Sequence, residues 1–249
     1  MNLTDMCILK FEKVSKQYPY VKEFLFKNLS FSVSKGQRVG IVAEKQCGKS
    51  SVAKIIAQLT KHTEGQVLLD GKDLFSVPVE KRGIGIVFDD FALMPGKTVE
   101  KNVSFPLKVR KEQNYKNVVL QQIEKFGLQS VAKTKTKKLL PLQKLQTALA
   151  RLDSRDDICL VVFDDIFAHV SKDDAQKYID LFLTGRNLAI LQTASEIDHL
   201  CECDVVHVVA DGTISFSGNF ENAKNYIKTT KCFDKFGINE DIKKILQDD

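Results

Sequence analysis

The sequence predicts an α/β chain: a P-loop-type core with a parallel sheet, an N-terminal antiparallel β-subdomain and a helical insertion. Three observations predict it. Ile158-Cys159-Leu160-Val161-Val162-Phe163 and Leu188-Ala189-Ile190-Leu191 are continuous apolar runs of strand length, the pattern of strands covered on both faces. A third run, Val39-Gly40-Ile41-Val42, leads through a short loop into residues 51 to 59, whose apolar positions recur at helical spacing. Residues 99 to 153 read mostly as helix, with no strand pattern interrupting them.

In chain order, Ile8, Phe11 and Val14, then Leu29, Phe31 and Val33, flank the turn-prone Tyr18-Pro19-Tyr20. The expectation is an antiparallel hairpin or small sheet with period-two alternation. The loop after Val42 is Ala43-Glu44-Lys45-Gln46-Cys47-Gly48-Lys49-Ser50, the second half of the phosphate-binding pattern G-x-x-x-x-G-K-[ST]. In that pattern backbone N–H groups close on a phosphate, the Lys reaches the β/γ-phosphates and the hydroxyl holds Mg²⁺. Gln66-Val67-Leu68-Leu69 ends in the turn signal Asp70-Gly71. Val118, Val119, Ile123 and Phe126 share one side of a helix that stops at Gly127, and Val205 to Val209 and Thr213 to Phe216 close the core as further strands. The chain is expected to be one domain over residues 1 to 249, with its insertion at about 99 to 153 and a tail at about 218 to 249.

At 249 residues, 43% hydrophobic and 28% charged, the composition is that of a globular chain and excludes wholesale disorder. No apolar run reaches the ~18 residues of a membrane span, and the start lacks the basic and apolar regions of a signal peptide. The six cysteines have no metal-site spacing. Net charge is +5, and the densest basic block, Lys133-Thr134-Lys135-Thr136-Lys137-Lys138, lacks interleaved aromatics. It reads as a solvated loop, and no nucleic-acid partner is expected.

Taken together, the ordered strings from about residue 6 to 218 resemble the ATP-binding-cassette (ABC) family. The resemblance implies ATP with Mg²⁺ as ligand, bound by Gly48, Lys49, Ser50 and Ser51, with Tyr18 stacking on adenine. Asp164, at the end of Leu160-Val161-Val162-Phe163-Asp164-Asp165, implies a Mg²⁺ carboxylate beside the Ser50 hydroxyl. Asp165 stands where the family has its catalytic Glu. Asp89, in Gly85-Ile86-Val87-Phe88-Asp89-Asp90, stands where the Q-loop Gln contacts the metal. Ala194 stands in the place of the switch His. Leu139-Leu140-Pro141-Leu142-Gln143 falls where the signature L-S-G-G-Q belongs and matches it only at Leu139 and Gln143. After Ala168-His169-Val170-Ser171, Asp173 or Asp174 takes the D-loop position only through a small insertion.

Each departure carries an expectation. Ala43 and Gln46 replace loop glycines, and a Cβ at a φ > 0 site costs about 1–2 kcal/mol. Glu44 brings a carboxylate to an anion site, partly offset by Lys45. Asp165 retracts the base by about 1.5 Å relative to Glu, and misplacement of about 1 Å already slows a reaction by about 10²-fold. Ala194 offers no donor to developing charge, a loss of roughly 10²–10³-fold. The chain is therefore expected to hold ATP and to hydrolyse it slowly or not at all. As an ABC transporter subunit it would sit peripherally at the cytoplasmic face of the membrane. There it would bind a membrane-spanning permease and a second cassette, as a homodimer or with an intact partner. The alternatives are an active transport ATPase using Asp165 as base and a soluble cassette scaffold without a transporter.

Overall fold

The computed structural model describes residues 7–43 and 47–233. Its elements are β1 (Cys7–Lys16), β2 (Phe26–Ser34), β3 (Arg38–Ala43), α1 (Lys49–Ile56), β4 (Glu64–Leu69), β5 (Lys72–Asp73) and β6 (Ile84–Val87). Then come α2 (Val99–Val109), α3 (Tyr115–Lys125), α4 (Pro141–Asp153), β7 (Leu160–Asp164), α5 (Lys172–Leu183), β8 (Ala189–Ala194), β9 (Val205–Ala210), β10 (Thr213–Gly218) and α6 (Phe220–Thr230). They fall into two compact units. One comprises Met1–Ile86, Cys159–Asp165 and Leu188–Asp249; the other comprises Val87–Ile158 and Ile166–Asn187.

The first unit carries a six-stranded sheet in the order β10-β9-β3-β8-β7-β6 and a four-stranded sheet in the order β2-β1-β4-β5. β3 pairs in parallel with β8 and β9, and β7 in parallel with β8. Leu160, Val161, Val162 and Phe163 have no exposed surface, nor do Val39, Val42 and Leu191, so these strands are covered on both faces as their apolar runs predict. The edge strand β10 departs from that pattern. It runs antiparallel to β9 and alternates half-buried and exposed residues, because an edge strand with one solvated face needs only one apolar side.

The smaller sheet is antiparallel, and the Phe11 and Phe31 rings face each other across it at 4.6 Å. Strict alternation fails between Phe11 and Val14, three positions apart yet both buried. The ladder shifts register there and Lys13 has φ 50°, a bulge that restores both side chains to the same face. Asp70 and Gly71 have φ 48° and 73° and join β4 to β5, the pair of positive angles that a two-residue hairpin turn demands. At the chain's far end α6 packs its Tyr226 ring on Phe216, 4.8 Å between centroids. The rest of the expected tail, residues 234–249, lies outside the described residues.

The second unit holds α2 to α5. Val119, Ile123 and Phe126 are buried and Val118 half-buried, and the chain leaves α3 through Gly127. The buried Asp153 carboxylate accepts from Lys125 Nζ at 2.8 Å and Arg186 at 2.6 Å, tying α3, α4 and the segment after α5 together. All four lysines in residues 133–138 are exposed, whereas Thr136 is buried and donates to the Met94 carbonyl at 3.1 Å.

His207 on β9 lies in register between Ile41 and Ser217, its Nδ1 2.7 Å from Ser217 Oγ and its ring 5.8 Å from Phe31. Burial pushes its pKa down from 6.5 to about 4. The folded state thus refuses a proton that the unfolded chain accepts near pH 6.5. The contribution of His207 to stability is complete above that pH and is lost as pH falls toward 4, by at most about 3 kcal/mol. Denaturant midpoints measured from pH 7.5 to 4.5 should fall less steeply for His207→Gln than for the parent chain. Parallel curves would contradict the assignment.

Candidate nucleotide site

The glycine-lysine-serine turn, the paired aspartates and Thr193 to Ser195 lie at the carboxyl ends of β3, β7 and β8. β3 ends at Ala43, buried and paired with Val209 of β9. Because Ala43 continues the strand and is not among the positive-φ residues, its Cβ is accommodated and the strain expected from replacing a glycine there does not arise. The readings placed on Glu44, Lys45 and Gln46 lie outside the described residues.

Gly48 precedes α1 with φ 89° and ψ 9°. A Cβ at this position would lie 2.9 Å from both Leu25 Cγ and Phe26 Cδ1, so glycine is required by conformation and by space. Lys49 follows, buried, with Nζ donating to the Ala43 carbonyl at 2.8 Å. Its ammonium is thereby held at the end of β3. Ser50 is half-buried in the first turn of α1. Ser51 is buried, its Oγ 3.0 Å from the Tyr18 hydroxyl.

The Tyr18 ring is half-buried and carries the Lys16 ammonium 4.6 Å from its centroid. Lys16 also donates to Thr60 Oγ1 and the Lys61 carbonyl. The hydroxyl and one ring face of Tyr18 are therefore engaged by protein, while Tyr20 two residues on is fully exposed. An open cleft of about 880 Å³ runs from these tyrosines along Lys54 to His62.

Asp164 ends β7 with no exposed surface and accepts from Thr193 Oγ1 at 2.7 Å. Asp165 is half-buried with φ 46°, and its N–H donates to the Thr193 carbonyl at 3.1 Å. Its Oδ1 accepts from the Ser195 N–H at 3.2 Å and its Oδ2 from the Ser195 hydroxyl. Ala194, between Thr193 and Ser195, is fully buried among Val42, Leu200, Cys203, Val206 and Val208. The position expected to carry a switch imidazole is thus part of an apolar cluster.

The remaining strings belong to the second unit. Asp89 is exposed and its Oδ1 accepts from the Asp90 N–H at 2.9 Å. Asp90 accepts from the Ala92 N–H, and Phe91 and Ala92 both have positive φ, 66° and 41°. Arg151 of α4 donates to the carbonyls of Ala92 at 2.8 Å and Phe91 at 3.3 Å. Burial lowers the pKa of its guanidinium. At the signature position Leu139 is buried, Leu140 is exposed as the cap of α4 and Pro141 opens the helix. Gln143 accepts from the Leu140 N–H at 3.0 Å, so this helix end satisfies part of its own donor set. Ser171 caps α5 and exchanges hydrogen bonds with Asp174, which ties that candidate D-loop carboxylate to a capping role. Asp173 is exposed.

Sequence reasoning missed Thr193, Ser195, Lys16 and Arg151. Thr193 and Ser195 flank Ala194 in sequence, and a hydroxyl on each side of that position was the available signal.

A buried strand, a glycine turned into a helix with Lys and Ser behind it, and paired carboxylates at the end of a second buried strand, one strand removed in the same sheet, define a cassette of P-loop type. The family model for ABC transporters matches residues 26–165, and the chain belongs to that family. It is 32% identical over 146 residues to the spermidine/putrescine import ATP-binding protein PotA of Mycoplasma capricolum, 58% of this chain and 41% of that protein. It is 30% identical over 211 residues to the methionine import ATP-binding protein MetN of Caulobacter vibrioides, 82% of this chain and 62% of that one. The chain spans about half the length of the curated relatives it matches. In fold it is similar to cbiO1 from Clostridium perfringens, part of the ABC transporter complex cbiONQ. That match has a TM-score of 0.73 at 22% identity, over 90% of this chain and 94% of the other. A dimeric ATP-binding cassette in a post-hydrolysis state with ADP and Pi superposes with a TM-score of 0.75 at 22% identity, over 86% and 99% of the two chains.

Two substitutions test this geometry. Gly48→Ala should lower stability by about 2 kcal/mol in denaturant titration, combining left-handed strain with overpacking against Leu25 and Phe26. Arg151→Ala strips two carbonyls of a half-buried charged donor and should lower it by about 1.5 kcal/mol. A loss below about 0.5 kcal/mol, the range of ordinary surface changes, would contradict either contact.

Proposed function

We propose that this chain is the ATP-binding subunit of an ABC transporter, a cassette that holds ATP and cleaves it slowly or not at all. In this reading it acts on a membrane-spanning permease as a structural or regulatory partner. It works beside a second cassette, at the cytoplasmic face of the membrane. No helix among the described residues is long and apolar enough to cross a membrane. The importers among its relatives favour import as the direction.

The observation that carries the reading is a contrast within one unit. Gly48, Lys49 and Ser50 keep the backbone turn, ammonium and hydroxyl of a phosphate site, whereas Ala194 is packed into an apolar cluster where a donor to the γ-phosphate is needed. The donor set suits Mg²⁺: Ser50 and Asp164 offer hard oxygens, and Thr193 fixes the Asp164 carboxylate as a supporting shell. When bound, that ion would neutralise charge on the β- and γ-phosphate oxygens. In hydrolysis the water oxygen bonds to the γ-phosphorus as its bond to the bridging oxygen breaks. ADP leaves with that electron pair, and the water proton passes to a base, for which Asp165 is the available carboxylate.

If two such chains paired head to tail, the partner's phosphate would meet Leu140 and Pro141, which supply neither a hydroxyl nor the first backbone donor of α4. A defective signature facing a retracted base leaves neither composite site whole.

The test is ATP binding and phosphate release by the purified chain, alone and with its co-purifying membrane partner. The parent should bind MgATP, and Lys49→Ala should weaken binding by about 10–100-fold, the worth of one charge-assisted contact. Turnover should stay well below the ~1 s⁻¹ at the low end for phosphoryl transfer. Turnover near that rate, abolished by Asp165→Asn, would establish a working ATPase instead. Repeated recovery of soluble partners alone would favour the scaffold reading.

A further inference from the structure

We propose that Ser195 is a lock on Asp165, holding the carboxylate in a retracted pose and so limiting the turnover of this chain. The proposal rests on the nucleotide-binding reading above. One residue engages both carboxylate oxygens: the Ser195 hydroxyl donates to Oδ2 and the Ser195 N–H to Oδ1 at 3.2 Å. The main chain of Asp165 is fixed as well, since its N–H donates to the Thr193 carbonyl at 3.1 Å and its φ of 46° lies in the left-handed region. Asp165 is thus held at its backbone and its side-chain tip by two residues at the end of β8.

That arrangement differs from a base steadied for reaction. An orienting partner engages one side of a base and leaves the other facing the proton it will take. Here both oxygens converge on a single serine. The O–H contact to an anionic carboxylate is of the strong, charge-assisted kind. Anchored on Ser195 at both oxygens, an aspartate one methylene shorter than the family's glutamate is restricted in how far it can swing toward a water. Ala194, directed into its apolar cluster, supplies no competing donor that would draw Asp165 forward. Releasing the hydroxyl bond would free Oδ2 to accept the water proton in the hydrolysis step described above.

The experiment is phosphate release from MgATP by the full chain, with ATP binding measured separately for each variant. Ser195→Ala should raise turnover by about tenfold at unchanged ATP affinity, the effect of removing one such hydrogen bond from the barrier. Ser195→Thr, which restores the hydroxyl, should return the rate toward that of the parent. Asp165→Asn combined with Ser195→Ala should abolish the gain, showing that it runs through Asp165. If ATP binds and Ser195→Ala is no faster than the parent, or slower, the lock is overturned while the binding reading stands. If the parent does not bind ATP, both fail. A gain that survives Asp165→Asn would overturn the lock by assigning the proton to another group.

Discussion

The pairing of Asp164 with Thr193 across β7 and β8 is the contact on which the site depends. It is a backbone register first, parallel and in step from Leu160 opposite Ala189 onward. The hydroxyl bond from Thr193 to the buried Asp164 is laid on that register. The same strand β8 sets Ala194 opposite Val42 on β3. A slip of one residue would invert every side chain along β8, turning Thr193 away from the carboxylates. Because the register holds, the helix after Gly48, the two aspartates and the 193–195 segment end together at the carboxyl edge of the sheet, where open α/β sheets take their ligands.

In the proposed reading the two halves of the chemistry fare differently, and the reason lies in what each is made of. Phosphate binding would use backbone geometry, the glycine at 48 and a lysine whose stem is packed away. Hydrolysis would use the length and donor capacity of individual side chains, at the positions that Asp165 and Ala194 occupy, with Leu140 and Pro141 where a partner's phosphate would lie. The architecture tolerates these replacements because none of them carries the sheet. Ala194 adds to an apolar cluster, and Leu140 stands exposed at a helix cap.

Much of the fold was legible. Val39 to Val42 and Leu160 to Phe163 announce buried strands by continuous apolarity, Asp70-Gly71 announces its turn by composition, and Gly48 announces the loop by the Lys and Ser behind it. What was not legible depends on partners distant in the chain. The bulge at Lys13 appears only when β1 is laid against β2. The antiparallel course of β10 is decided by the short Asp211-Gly212 link to β9, and a hydrophobicity pattern carries no strand direction. Arg151 clasps carbonyls about sixty residues away, a contact that no local window contains. Ser195 reaches Asp165 only because β7 and β8 are neighbours. The cost that a positive φ would bring at Ala43 does not apply, since the pattern implies a loop glycine where this chain simply extends its strand.

Ala194 also sets a condition on building a donor at its position. It is an interior member of the cluster that holds Val42, Leu200, Cys203, Val206 and Val208. A bulky imidazole placed there would add volume to a packed cluster, and overpacking of this kind costs about 1–3 kcal/mol. Under the proposed reading, a full switch could be installed only if neighbouring side chains shrank in step, so the position asks for a concerted redesign where a surface site would need a single substitution.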